Sequence, residues 1–135
     1  MSESGRILLV GEDTLALHVA FATCIAAADI AVVPDAAAGL EHLRKNPGTP
    51  PRLIVLNADG AAVVEAVGIF KADTQAQIVP LMVLCKGAEK NLIEACYCAG
   101  ANACAVKPAA IAELRDLLAT VTAYWLGANE VPPRA

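Results

Sequence analysis

Aromatic residues make up only 4% of this 135-residue chain, although 57% of it is hydrophobic. Its core must therefore be built from aliphatic side chains and alanine. Basic residues are too few and too scattered for a nucleic-acid surface: Lys plus Arg number 10 against 14 Asp plus Glu, a net charge of -4 with a pI near 5.0. No apolar run approaches the roughly 20 residues that span a bilayer, and the opening MSESGR lacks a signal-peptide core. A cytoplasmic protein without membrane contact is expected, and in that reducing compartment its five cysteines are expected to be free thiols. Internal repeats are missing. So is a Gly-rich phosphate loop, since Gly11-Glu12-Asp13 is not G-x-G-x-x-G. His18 and His42 fall on expected helices with no catalytic arrangement around them, and no histidine accompanies Cys96 and Cys98 to suggest zinc.

What is present is an alternation of short apolar runs and helical stretches. Ile7 to Val10 reads as a buried strand, followed by a helix from Asp13 to about Ala28 with Leu15, Val19 and Ile25 on or near its apolar face. Ile30 to Val33 is a second strand, and a helix through Leu40 and Leu43 stops at the Asn46–Pro51 loop. Leu53 to Leu56 is the third strand and Ala61 to Ala72 the third helix. Pro80 opens the fourth strand, and Glu89 to Ala99 forms a helix ended by Gly100. Ala103 to Val106 and a helix from Ile111 to about Trp125 complete the series. Such an alternation predicts an α/β, flavodoxin-like (βα)5 three-layer sandwich, its five-stranded parallel sheet in the order 2-1-3-4-5. Leu8, Val10, Leu53, Val55, Leu81, Val83 and Val106 are the expected buried strand residues, because parallel sheets are covered on both faces.

Four segments, RILLVGED, PRLIVLNADG, PLMVLCKG and GANACAVKP, resemble in combination the receiver domains of two-component response regulators (CheY-like). The resemblance covers residues 6 to about 126. It implies a receiver-like domain over 1–126, a loose tail over 127–135, a place in phosphorelay signalling, and no enzymatic activity. It also implies that Glu12 and Asp13 match the acidic pair that helps hold magnesium, and that Lys107 matches the lysine that pairs with the phosphoryl group.

The departures fall on the same site. Asn57 stands where the family has its phosphoacceptor aspartate, and an amide offers no anionic nucleophile. Cys85 replaces the hydroxyl residue that bonds the phosphoryl oxygens, Cys104 occupies the aromatic switch position, and the loop after Asn57 is short and lacks proline. The expectation is a pseudo-receiver that cannot be phosphorylated, requires no cofactor, and retains at most a weakened magnesium site at Glu12 and Asp13. Asp13 also suits a helix cap, and Lys107 a structural salt bridge to Glu12 or Asp13. An alternative register makes Asp59 the phosphoacceptor. Another alternative makes Cys85 and Cys104, at the ends of neighbouring strands, a redox pair, while two core thiols are the plainer reading. Partners are expected among signalling proteins (a histidine kinase or an output protein) or a second copy. The contact face would be the fourth helix, fifth strand and fifth helix, with Lys90, Tyr97, Glu113, Asp116 and Trp125 as candidate residues.

Overall fold

A computed structural model describes residues 6–12, 14–26, 29–58, 60–87 and 89–130. Its elements are β1 (Ile7–Val10), α1 (Leu15–Phe21), β2 (Ile30–Val33), α2 (Ala36–Lys45), β3 (Leu53–Asn57), α3 (Ala61–Ala72), β4 (Leu81–Cys85), α4 (Lys90–Ala99), β5 (Ala103–Val106) and α5 (Ile111–Ala123). All strand pairs are parallel and the order is β2-β1-β3-β4-β5, as the alternation predicts.

Side chains alternate across the sheet and separate the core into two layers. Leu8, Val10, Ile54, Leu56 and Val83 pack with Val67 and Phe70 of α3 and Cys96 of α4. Ile7, Leu9, Val55 and Leu84 pack on the other face with Leu17 and Phe21 of α1 and Leu114 and Leu118 of α5. The core strands carry almost no exposed area, which explains why their sequences are continuous apolar runs.

Local signals set several boundaries. Asp35 caps α2, its Oδ1 accepting from the Ala38 amide at 2.8 Å. Gly100 takes φ 117° after α4, where its N–H closes on the carbonyls of Cys96 and Tyr97.

Two expectations fail here. The first helix is shorter than Asp13 to Ala28: it ends at Phe21, and Thr23 Oγ1 turns back to the Ala20 carbonyl at 2.7 Å, competing with continued helix. Its buried face is Leu17, Ala20 and Phe21, whereas Leu15 and Val19 are exposed. Two positions along a helix is about 200° around it, so both stripes cannot face the sheet. Only Ile25 of the expected trio packs against the core. Val106 is the second failure, at 42% exposed. It ends an edge strand, with β4 on one side and no strand on the other.

Beyond α5 the chain makes a π-helical turn over Tyr124–Ala128. Arg52 Nη2 donates to the Asn129 carbonyl at 2.9 Å and Arg6 Nη2 reaches the Leu126 carbonyl at 3.5 Å, so the chain stays on the domain body past residue 126. Residues 131–135 lie outside the described residues, as does most of the expected tail.

Candidate functional site

Winding reverses between β1 and β3, and a parallel sheet opens a crevice at the carboxyl ends of its strands there. The crevice is a cavity of about 450 Å³. Glu12, Asn57, Lys86 and Lys107 line it together with Val10, Leu56 and the first turns of α2 and α3.

Asn57 is the last residue of β3 and is half-buried. Lys107 follows β5, and its backbone N–H donates to the Cys85 carbonyl at 2.7 Å, which fixes the strand end from which its side chain extends. Lys107 Nζ then donates to Asn57 Oδ1 at 3.0 Å. Among the described residues Lys107 bonds the Asn57 amide and not Glu12, while the expected alternative partner, Asp13, lies outside them. An ammonium has only donors, so it selects the amide oxygen and turns Asn57 Nδ2 away from itself.

Gly11 brings β1 close to this residue. It has φ 142°, and a Cβ there would collide with the Asn57 carbonyl oxygen. Its N–H is held by the Val33 carbonyl at 3.0 Å. Only glycine combines that backbone with that approach.

Glu12 is exposed at the rim, while Asp13 and Asp59 lie outside the described residues. A magnesium ion needs several oxygen ligands at short range. Among the described residues the crevice carboxylates are Glu12 and Asp35. Asp35 Oδ1 accepts from Ala38 and Asn57 Oδ1 from Lys107, and the other expected ligand, Asp13, lies outside the described residues.

The cysteines are arranged differently from the expected pair. Cys104 aligns with Val83, and Cys85 with Val106, so Cys85 and Cys104 are two residues out of register. They share one sheet face, and Cys104 interacts there with Cys96 of α4 as well. All are free thiols. Burial, reinforced by Cys96 and Cys85, pushes the Cys104 thiol up to about 11. Burial also raises Cys96, partly offset by its bond to Cys104. Cys104 is held protonated at neutral pH and Cys85 is buried, and this disfavours the redox pair.

Of the expected contact residues, Lys90, Tyr97, Glu113 and Asp116 are exposed, and Trp125 is half-buried against the core layer between the sheet and helices α1 and α5, the lower layer. Trp125 also meets Tyr124 edge to face, with ring centroids 4.9 Å apart. Tyr97 makes a bond that no motif announces: its hydroxyl accepts from the Cys104 N–H at 3.1 Å, on the open edge of β5. The crevice role of Lys86 and the Cys96–Cys104 contact were also missed. Both depend on how α4 and the loop before it lie over the sheet, and no local spacing reports that.

No protein-family model and no curated protein matches this sequence. Solved structures do. The response regulator RPA3017, in red light signaling of R. palustris, aligns with a TM-score of 0.77 at 24% identity, over 95% of this chain and 99% of that one. The phosphorylated cyanobacterial phytochrome response regulator RcpA aligns at 0.76 and 21% identity, over 94% and 97%. The receiver domain of sensor histidine kinase PA1611 from Pseudomonas aeruginosa, with magnesium coordinated in its active-site cleft, aligns at 0.62 and 22%, over 92% and 99%. Strand order, helix placement and near-complete coverage agree, and the fold of this chain is the flavodoxin-like fold of response-regulator receiver domains.

Proposed function

We propose that this chain is a receiver-type module of two-component signalling that works by protein contact and does not accept a phosphoryl group. The observation that carries the reading is Asn57 at the end of β3, its amide oxygen occupied by Lys107. Phosphoryl transfer needs a carboxylate at that place, and the lysine that would meet the phosphoryl group is engaged with the amide instead. On this reading the protein is not an enzyme, requires no cofactor, and binds magnesium weakly at most through Glu12 and Asp13.

Its partners are signalling proteins, a histidine kinase or an output protein, or a second copy. The contact face is α4, β5 and α5, where Lys90, Tyr97, Glu113 and Asp116 are exposed. The protein acts in the cytoplasm. No helix among the described residues is long and apolar enough to cross a membrane, which accords with that place.

Incubation with acetyl phosphate and magnesium, followed by intact mass measurement, tests the chemistry. No phosphoryl adduct is expected on the native chain. Asn57→Asp is expected to remain unmodified too, because Cys85 supplies no hydroxyl beside it. A stoichiometric adduct on the native chain, abolished by Asp59→Ala, would overturn the reading.

A further inference from the structure

The crevice is larger than its polar groups require. Ala62 and Ala66 stand one turn apart on α3 and line it together with Ala36 at the start of α2. Val10 and Leu56 form its apolar floor. Where longer side chains would close the space between α2 and α3, three alanines leave it open. About 450 Å³ lies within the range of small-molecule sites, roughly 300–1,000 Å³.

The polar groups lie toward one end. Among the described residues the Lys107 side chain bonds only Asn57, using one of the three donors of its ammonium. Asn57 Nδ2 donates to no group among the described residues, and Lys86 lines the same cavity. Among the described lining residues the charges of Lys86 and Lys107 balance those of Glu12 and Asp35, which disfavours a multiply charged anion. The Asp35 carboxylate is already used as the cap of α2.

We propose that this cavity binds a small organic carboxylate, its single charge on Lys107 and the Asn57 amide and its apolar body against Ala36, Ala62 and Ala66. A monoanion satisfies the two donors without strong repulsion from Glu12, and the alanine wall takes the hydrocarbon. The site gives the domain a chemical input, and it stands whether or not the protein-contact reading above holds.

Amide NMR titrations of the full chain test this with three probes: benzoate, acetate and benzyl alcohol. Benzoate is expected to shift the Asn57, Ala62 and Ala66 signals saturably, with a Kd at least about tenfold below that of either part-ligand. Ala66→Leu, which fills the apolar half, and Lys107→Gln, which removes the charge, should each weaken it by about tenfold. Ala62→Leu repeats the steric test on the same helix face, and each variant's ligand-free spectrum reports its fold. Benzoate binding no tighter than acetate or benzyl alcohol would overturn the proposal. So would benzoate binding indifferent to the alanine substitutions, or tighter binding of inorganic phosphate than of benzoate.

Discussion

Lys107 Nζ and Asn57 Oδ1 meet at 3.0 Å, a bond that links the chain just after β5 to the end of β3 across the end of β4. Two strand ends are thereby tied by one charged donor and one neutral acceptor. Hydrogen bonds to charged groups stabilise by about 1.5–3 kcal/mol when well shielded, and both residues here are only half-buried. Lys107→Met is therefore expected to cost about 1 kcal/mol in urea unfolding. Asn57→Ala should cost a similar amount. A double-mutant cycle should return a coupling of about 0.5–1 kcal/mol, and a coupling of zero would mean that the bond contributes nothing.

Gly11→Ala is expected to be among the most damaging single-methyl changes in the domain. The backbone at φ 142° is unfavourable for any L side chain, and the added Cβ meets the Asn57 carbonyl oxygen. Such strained backbone costs about 1–3 kcal/mol before any clash is counted. A fall in thermal stability together with shifted Asn57 and Val33 amide signals would locate the damage. Gly48→Ala is the control, since a Cβ there has open space around it.

Strands were legible because burial on both faces writes them as unbroken apolar runs, and four of the five expected strands match the observed bounds to within a residue at each end. The same rule misplaced Val106, because it assumes cover on both faces, and the end of an edge strand, which the expected order already made β5, lacks that cover. In α1, two apolar stripes of similar quality compete, and only docking on the sheet chooses Leu17 and Phe21 over Leu15 and Val19. At the site, the positions of Asn57 and Lys107 could be read from their strands. Their bond could not, because the sequence offered Glu12 and Asp13 as more obvious partners for an ammonium. The Cys96–Cys104 contact comes from the packing of α4 on β5, which no pairwise spacing encodes.

Val55→Asp tests the core directly. Val55 is fully buried in the lower layer, among Leu9, Leu84 and Leu118. A carboxylate there has no partner and costs several kcal/mol, or takes up a proton to avoid ionisation. Loss of the folded amide dispersion at neutral pH is expected. A soluble variant with unchanged melting would contradict the placement of β3.

Asn102 is a second polar tie, at the opposite end of β4. Its Oδ1 accepts from the Leu81 N–H at 2.8 Å and from Lys71 Nζ at 3.0 Å, and Lys71 also donates to the Gln77 and Val79 carbonyls. Burial lowers the Lys71 pKa, so its charged form depends on these acceptors. Asn102→Ala leaves the amide of the fully buried Leu81 without its acceptor and should cost about 1–3 kcal/mol. Asn102→Asp keeps an acceptor for both donors and should recover most of the loss in chemical denaturation. Equal damage from both substitutions would show that the two bonds are not what stabilises this corner.

The thiols give a pH signature whose sign follows from burial. Cys104 is raised from 9.0 to about 11 in the folded chain, so the folded state keeps a proton that the unfolded state releases. Its stabilising contribution is complete below pH 9.0 and declines as pH rises toward about 11. Cys96, raised by burial as well, adds to the decline. Denaturation midpoints measured across that window should fall less steeply for Cys104→Ala than for the native chain. The substitution retains the backbone N–H that bonds Tyr97, so the Tyr97 contact is not the cause. Alkylation supplies the kinetic counterpart: exposed Cys98 should react first, half-buried Cys104 with its raised pKa more slowly, and buried Cys96 only on unfolding. Labelling of Cys104 as fast as Cys98 near neutral pH would mean a reactive thiol, and would reopen the case for a redox role at this face of β5.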